Sequence, residues 1–158
     1  MNLLIALIAL LGFLVSLAVH ISALSGIDVN THWPSVWVLH FGIFVVFIPF
    51  VFSSRKAFGA KLKLAELRGS FPTWVIAVGI AIFAYAAVNF LLFMLATEGG
   101  NPDFRDGKYV LLSHGKLIRE LTQAEYSSFR ANEIRGFSGH WLVFYFVPFA
   151  YFMFRKPA

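Results

Sequence analysis

Residues 2–25 read NLLIALIALLGFLVSLAVHISALS, a stretch of 24 residues without Asp, Glu, Lys or Arg. As a helix rising 1.5 Å per residue it covers about 36 Å, enough to cross a hydrocarbon core about 30 Å thick with some tilt. Gly26 follows as a stop. No basic segment precedes the apolar run, so it reads as a transmembrane helix or uncleaved signal anchor and not as a cleaved signal peptide.

Three further stretches have the same character: 35–52, 72–96 and 138–154, each free of Asp, Glu, Lys and Arg. Pro34 and Pro72 fall at first-turn positions, where a missing N–H is harmless. Pro49 and Pro148 fall inside spans and are expected to kink or end them. The expected fold is an all-α membrane protein, a four-transmembrane-helix bundle. It divides into 1–96 with three spans and a cytoplasmic loop at 53–71, an extracytoplasmic insertion at 97–137, and 138–158 with the fourth span and a tail.

Composition agrees with this reading. The chain has 158 residues, 59% hydrophobic and 13% charged, and a mean hydropathy of +0.75, which excludes a free cytosolic enzyme. With no cysteine there are no disulfides, thiol nucleophiles, cysteine-ligated zinc or iron–sulfur clusters. The net charge of +5 follows from loop bias in an apolar chain, and no basic stripe with interleaved aromatics points to nucleic acid.

Orientation follows from Lys and Arg, which resist translocation. Segment 53–71 carries Arg55, Lys56, Lys61, Lys63 and Arg68 against Glu66 alone, which makes it cytoplasmic and a candidate for anionic lipid headgroups. Leu62, Leu64 and Leu67 interleave with these cations, compatible with a short interfacial helix. Segment 97–137 balances six basic against six acidic residues and is expected outside. Both termini are then cytoplasmic in an inner, plasma-type membrane. Trp33, Trp37 and Trp141 form an outer aromatic belt, and Trp74 an inner one.

The outer segment has structure of its own. Residues 97–106, rich in Gly, Asn, Pro and Asp, read as a loop. Residues 108–113 and 116–121 read as two strands of a β-hairpin joined by His114-Gly115. Thr122 and Glu125 have capping-box spacing, and 123–135 reads as a helix closed by Gly136. Tyr126, Phe129 and Ile134 share one face of it. A lone hairpin is marginal in water, so this face is expected to pack on the hairpin, the membrane rim or another protein. Tyr109, His114, Tyr126 and Arg130 are its candidate partner-binding residues.

No phosphate loop, His-Glu-x-x-His helix or nucleophile elbow is present, and the spans hold no carboxylate. The sequence therefore offers no catalytic residue. It does place polar groups at similar depth in the outer half of each span: His20, His40, Asn89 and His140, with Ser16 one turn from His20. Such a polar bundle layer could ligate haem b or a metal ion through His20, His40 and His140. Equally, these groups could hydrogen-bond across helices and hold the bundle together. Gly12 and Ser16, and Ala77 and Ala81, have the spacing of close helix contacts.

Three functions compete on this reading. The favoured one is non-enzymatic: protein–protein binding through the outer insertion and helix faces, as an accessory subunit of a membrane complex or an immunity-type protein that neutralises an incoming toxin. The second is a haem- or metal-binding electron-transfer subunit. The third is a lipid-, quinone- or solute-handling component. The expected partners are membrane lipid and another membrane or extracytoplasmic protein, with a homo-oligomer as a further arrangement.

Overall fold

The computed structural model describes residues 2–59 and 64–156. Lys61 and Lys63, with Leu62, lie outside the described residues. The chain is mostly helical, and four of its helices are long and apolar enough to cross a membrane. In chain order the elements are α1 (Asn2–Leu24), α2 (Val29–His32), a 3-10 turn (Pro34–Trp37), α3 (Val38–Phe58), α4 (Leu64–Ser70), α5 (Thr73–Ala96), strands β1 (Asn101–Arg105), β2 (Lys108–Ser113) and β3 (Lys116–Glu120), and α6 (Gln123–Phe154).

Helix α1 ends where its glycine lies. Gly26 adopts φ +80°, its N–H reaches the Ala23 carbonyl at 3.0 Å, and the Ile27 N–H reaches Ser22 at 3.1 Å. That pairing closes the last turn. Asp28 then caps α2 by accepting from the Thr31 backbone N–H.

Helix α6 is the central post, packing against α1, α5 and α3. The sequence suggested an outer helix stopped by Gly136 and a separate span; the structure has one unbroken helix of 32 residues. Gly136 serves close approach, because a Cβ there would lie 2.6 Å from the Phe93 ring of α5. Pro49 and Pro148 likewise stand inside continuous helices. A proline removes one intrahelical hydrogen bond, and neighbouring helices offset that loss when they hold both flanking turns. Pro148 is among the fully buried residues. Helix α3 runs to Phe58, so Arg55 and Lys56 belong to its last turn and not to a loop.

One end of the bundle gathers the basic residues. Asn2, Lys56 and Arg155 border a common hollow, and the Lys156 N–H bonds the Ser70 carbonyl at 2.9 Å. There Phe71, Val75, Phe146, Ala150 and Tyr151 form an aromatic core. Farther along α6, Trp141 and Tyr145 pack with Val36, Ile43 and Val46.

The other end carries a three-stranded antiparallel sheet in the order β1-β2-β3. The expected loop at 97–106 therefore contains a strand, and the hairpin is a meander. Asp106-Gly107 at φ +51° and +77°, and His114-Gly115 at φ +49° and +81°, are paired left-handed residues between strands. This is the two-residue connection whose twist matches the strands it joins. The sheet is fastened to α6 through Leu111, Leu121 and Phe129, which form their own buried cluster.

The cap of α6 is the one its sequence implied. The Glu125 N–H reaches Thr122 Oγ1 at 3.2 Å, and the Thr122 N–H reaches Glu125 Oε2 at 2.7 Å. Ile134 does not join Tyr126 and Phe129 under the sheet; it packs with Trp141 in the bundle.

Candidate functional site

Below the sheet, α1, α5 and α6 share a hydrogen-bonded polar cluster. His20 of α1 is buried, with Nδ1 2.8 Å from Ser138 Oγ of α6 and Nε2 2.5 Å from the Tyr85 hydroxyl of α5. Asn89 of α5, also buried, donates from Nδ2 to the Arg135 carbonyl at 3.1 Å. Ser138 Oγ donates to the same carbonyl at 3.3 Å. With the His20 proton on Nδ1 the relay is consistent: Tyr85 donates to Nε2, Nδ1–H to Ser138, and Ser138 to the backbone.

The cluster depends on glycine. A Cβ on Gly139 would collide with Asn89 Nδ2 and stand 3.6 Å from the His20 ring. Gly12 and Gly42 make the matching allowance for Tyr145, whose ring passes between α1 and α3 and whose hydroxyl donates to the Leu39 carbonyl at 2.6 Å. Gly12 thus packs as its spacing suggested, whereas Ala77 and Ala81 are exposed. Ser16 is buried without a hydrogen-bond partner for its hydroxyl, and His20 pairs with Ser138 in place of this nearer residue.

The remaining histidines stand apart from His20. His40 accepts from Trp141 Nε1 at 3.1 Å and sits among Trp37, Phe41 and Phe137. His140 engages the Gly136 carbonyl of its own helix at 2.8 Å and meets Phe90 edge to face. Of the polar side chains read as one layer, His20 and Asn89 thus share one cluster, whereas His40 and His140 each have surroundings of their own. Among the described residues no three His, Asp or Glu side chains are grouped to hold a metal ion. Trp141 is 1% exposed, so it belongs to the core and not to an outer aromatic belt.

Outward from His20 the environment changes. Arg135 lies within electrostatic reach of His20 and Tyr85, and its Nε and Nη2 are buried without hydrogen-bond partners, as is Asn132 Oδ1 one turn earlier. Both residues line a hollow of about 500 Å³ between the sheet-side ends of α1 and α5 and the flank of α6. Arg119 on its rim is taken by Glu98 at 3.1 Å and Glu125 at 2.7 Å. The Thr122 backbone N–H, and then Arg119, hold the Glu125 carboxyl down to about 2.

On the sheet, Tyr109 packs against Tyr126 with centroids 4.8 Å apart and against Phe104 at 5.0 Å, both pairs tilted. Phe104 is 54% exposed. His114 is exposed at a turn tip, and Arg130 pairs with Glu133 at 2.7 Å. Of the cations expected on the cytoplasmic side, Arg55, Lys56 and Arg68 are exposed. Sequence reading missed Tyr85, Ser138, Arg135 and Phe104; a lone Arg just ahead of an apolar run was the one signal available for Arg135. Comparison with known proteins found no matching family model, no matching curated protein and no matching solved structure.

Proposed function

We propose that this chain is a non-enzymatic membrane protein that captures another protein through its outer sheet, as an accessory subunit or an immunity-type protein. Its four long helices lie in the membrane, the basic end faces the cytoplasm with both termini, and the sheet stands outside. The observation that carries the reading is the aromatic cluster of Phe104, Tyr109 and Tyr126, with Phe104 exposed and the two tyrosines half-buried beneath it, on a unit anchored to the central helix. Leu117 and Ile118, on the two faces of β3, are exposed as well, and exposed apolar side chains on a water-facing unit mark interaction surfaces. Rigid aromatics of this kind are the commonest anchors of protein interfaces.

The test is affinity capture at native expression with and without crosslinking. Phe104→Ala, Tyr109→Ala and Tyr126→Ala should each reduce the captured partner several-fold, with His114→Ala and Arg130→Ala contributing less, while the variants still run as the wild type in gel filtration. Unchanged capture by all three aromatic variants would sink the proposal.

A further inference from the structure

A guanidinium whose Nε and Nη2 are both buried and unpaired is costly, because a desolvated charge without hydrogen-bond partners recovers nothing of its lost hydration. Arg135, half-buried overall, holds its Nε and Nη2 in that position, and Asn132, whose Oδ1 is also buried and unpaired, lines the same hollow. The other cation there, Arg119, has its charge met by two carboxylates. An incoming anion would therefore find only Arg135 uncommitted. The walls contributed by α1 and α5 are Ala23, Leu24, Leu95 and Ala96. Leu24 and Leu95 are largely exposed on the outer surface of the helices. Inward, the hollow's two helices are tied by the His20–Tyr85 bond.

A floor with one free cation and one free acceptor, beside the carboxylates Glu98 and Glu125 that Arg119 neutralises on the rim and flanked by apolar walls that continue along two lipid-length helices, suits a particular chemistry. The ligand has an oxyanion for the guanidinium, a donor for the amide oxygen and a hydrocarbon chain to run between α1 and α5. We infer that Arg135 and Asn132 form a binding site for the acidic head of an amphiphile, of the phosphoglycerol type, in the outer leaflet. The fork of a guanidinium matches two oxygens of a phosphate, and the glycerol hydroxyls supply the donor. This site shares none of the three rings of the aromatic cluster, which joins β1 and β2 to the first turns of α6.

The experiment is native mass spectrometry of the full chain in a neutral detergent, titrated separately with phosphatidylglycerol, phosphatidylcholine and inorganic phosphate. The wild type should retain one phosphatidylglycerol in preference to phosphatidylcholine. Arg135→Gln should weaken that lipid about tenfold, the loss of one charge-assisted contact, and Asn132→Ala by a smaller factor. Ala96→Trp, which keeps the charge and fills the hollow, should displace it even if Arg135→Gln fails to fold. Arg55→Gln should leave it bound, separating it from lipid held at the basic end. Equal retention of the two lipids, or retention unaltered in Arg135→Gln and Ala96→Trp, would overturn the site. Displacement of the lipid by inorganic phosphate at equal concentration would overturn the amphiphile and leave a soluble oxyanion as ligand.

Discussion

At position 139 a single hydrogen in place of a side chain lets three helices exchange hydrogen bonds. Gly139→Val would drive a methyl group into Asn89 and toward His20, and overpacking of a core contact costs about 1–3 kcal/mol. Thermal unfolding in detergent should show that loss, whereas Gly69→Ala, at a site with open space around it, should leave the transition near the wild type. Wild-type stability of Gly139→Val would mean that the α5–α6 contact is looser than described. His20 and Asn89 stood out in the sequence because a polar group in an apolar run must find a partner. Their partners did not stand out. Tyr85 and Ser138 are unremarkable in apolar helices, and which helices face each other follows from packing across 65 and 118 residues of chain, not from spacing along one helix. For the same reason three histidines at similar depth looked like a ligand set, and turn out to occupy separate surroundings.

Among the elements, α6 concentrates the local signals that could be read and those that could not. Its N-terminus was legible because a capping box is a contact three residues apart. Thr122→Ala should destabilise the outer unit by about 1 kcal/mol, read by faster hydrogen exchange in β2 and the first turns of α6. Loss of exchange protection in α1 as well would show that the outer unit and the bundle unfold together. Glu125 gives this unit a pH dependence. Its carboxyl, held at about 2 against an ordinary 4.5, is bound more firmly as the anion. Its contribution is thus complete above the ordinary value and is lost as pH falls from there toward 2. The tyrosine near-ultraviolet dichroism from Tyr109 and Tyr126 should weaken between pH 4.5 and 2, and Glu125→Gln should flatten that slope; an unchanged slope would remove Glu125 as the cause. The continuity of α6 was hidden by Gly136, since a glycine after a periodic run marks a stop and a close contact in the same way. Strand β1 had a local signal, Asp106-Gly107, the type of pair that favours a hairpin turn; the Gly-, Asn- and Pro-rich run before it outweighed that pair. Gly107→Val should weaken the β1–β2 pairing, because a β-branched residue at φ +77° is strained, and proteolysis at 101–105 would report it.

For the molecule as a whole, the four apolar runs were legible because an unpaired backbone in hydrocarbon leaves helices as the economical way across. The arrangement with α6 in the middle was not, because all four are apolar on every side. The absence of cysteine makes orientation directly measurable. In intact cells Ser113→Cys should react with a membrane-impermeant maleimide and Arg68→Cys should react only after lysis. The reverse pattern would invert the proposed topology. The unbroken α6 also sets a height. Its 32 residues amount to about 48 Å of rod, while a hydrocarbon core takes about 30 Å. On the proposed topology some 18 Å of stiff helix therefore extends beyond the hydrocarbon core, through the headgroup layer and above it, like a mast with the sheet lashed to its side. If that topology holds, a partner would meet the aromatic cluster at that fixed elevation, which favours proteins with domains above the headgroups.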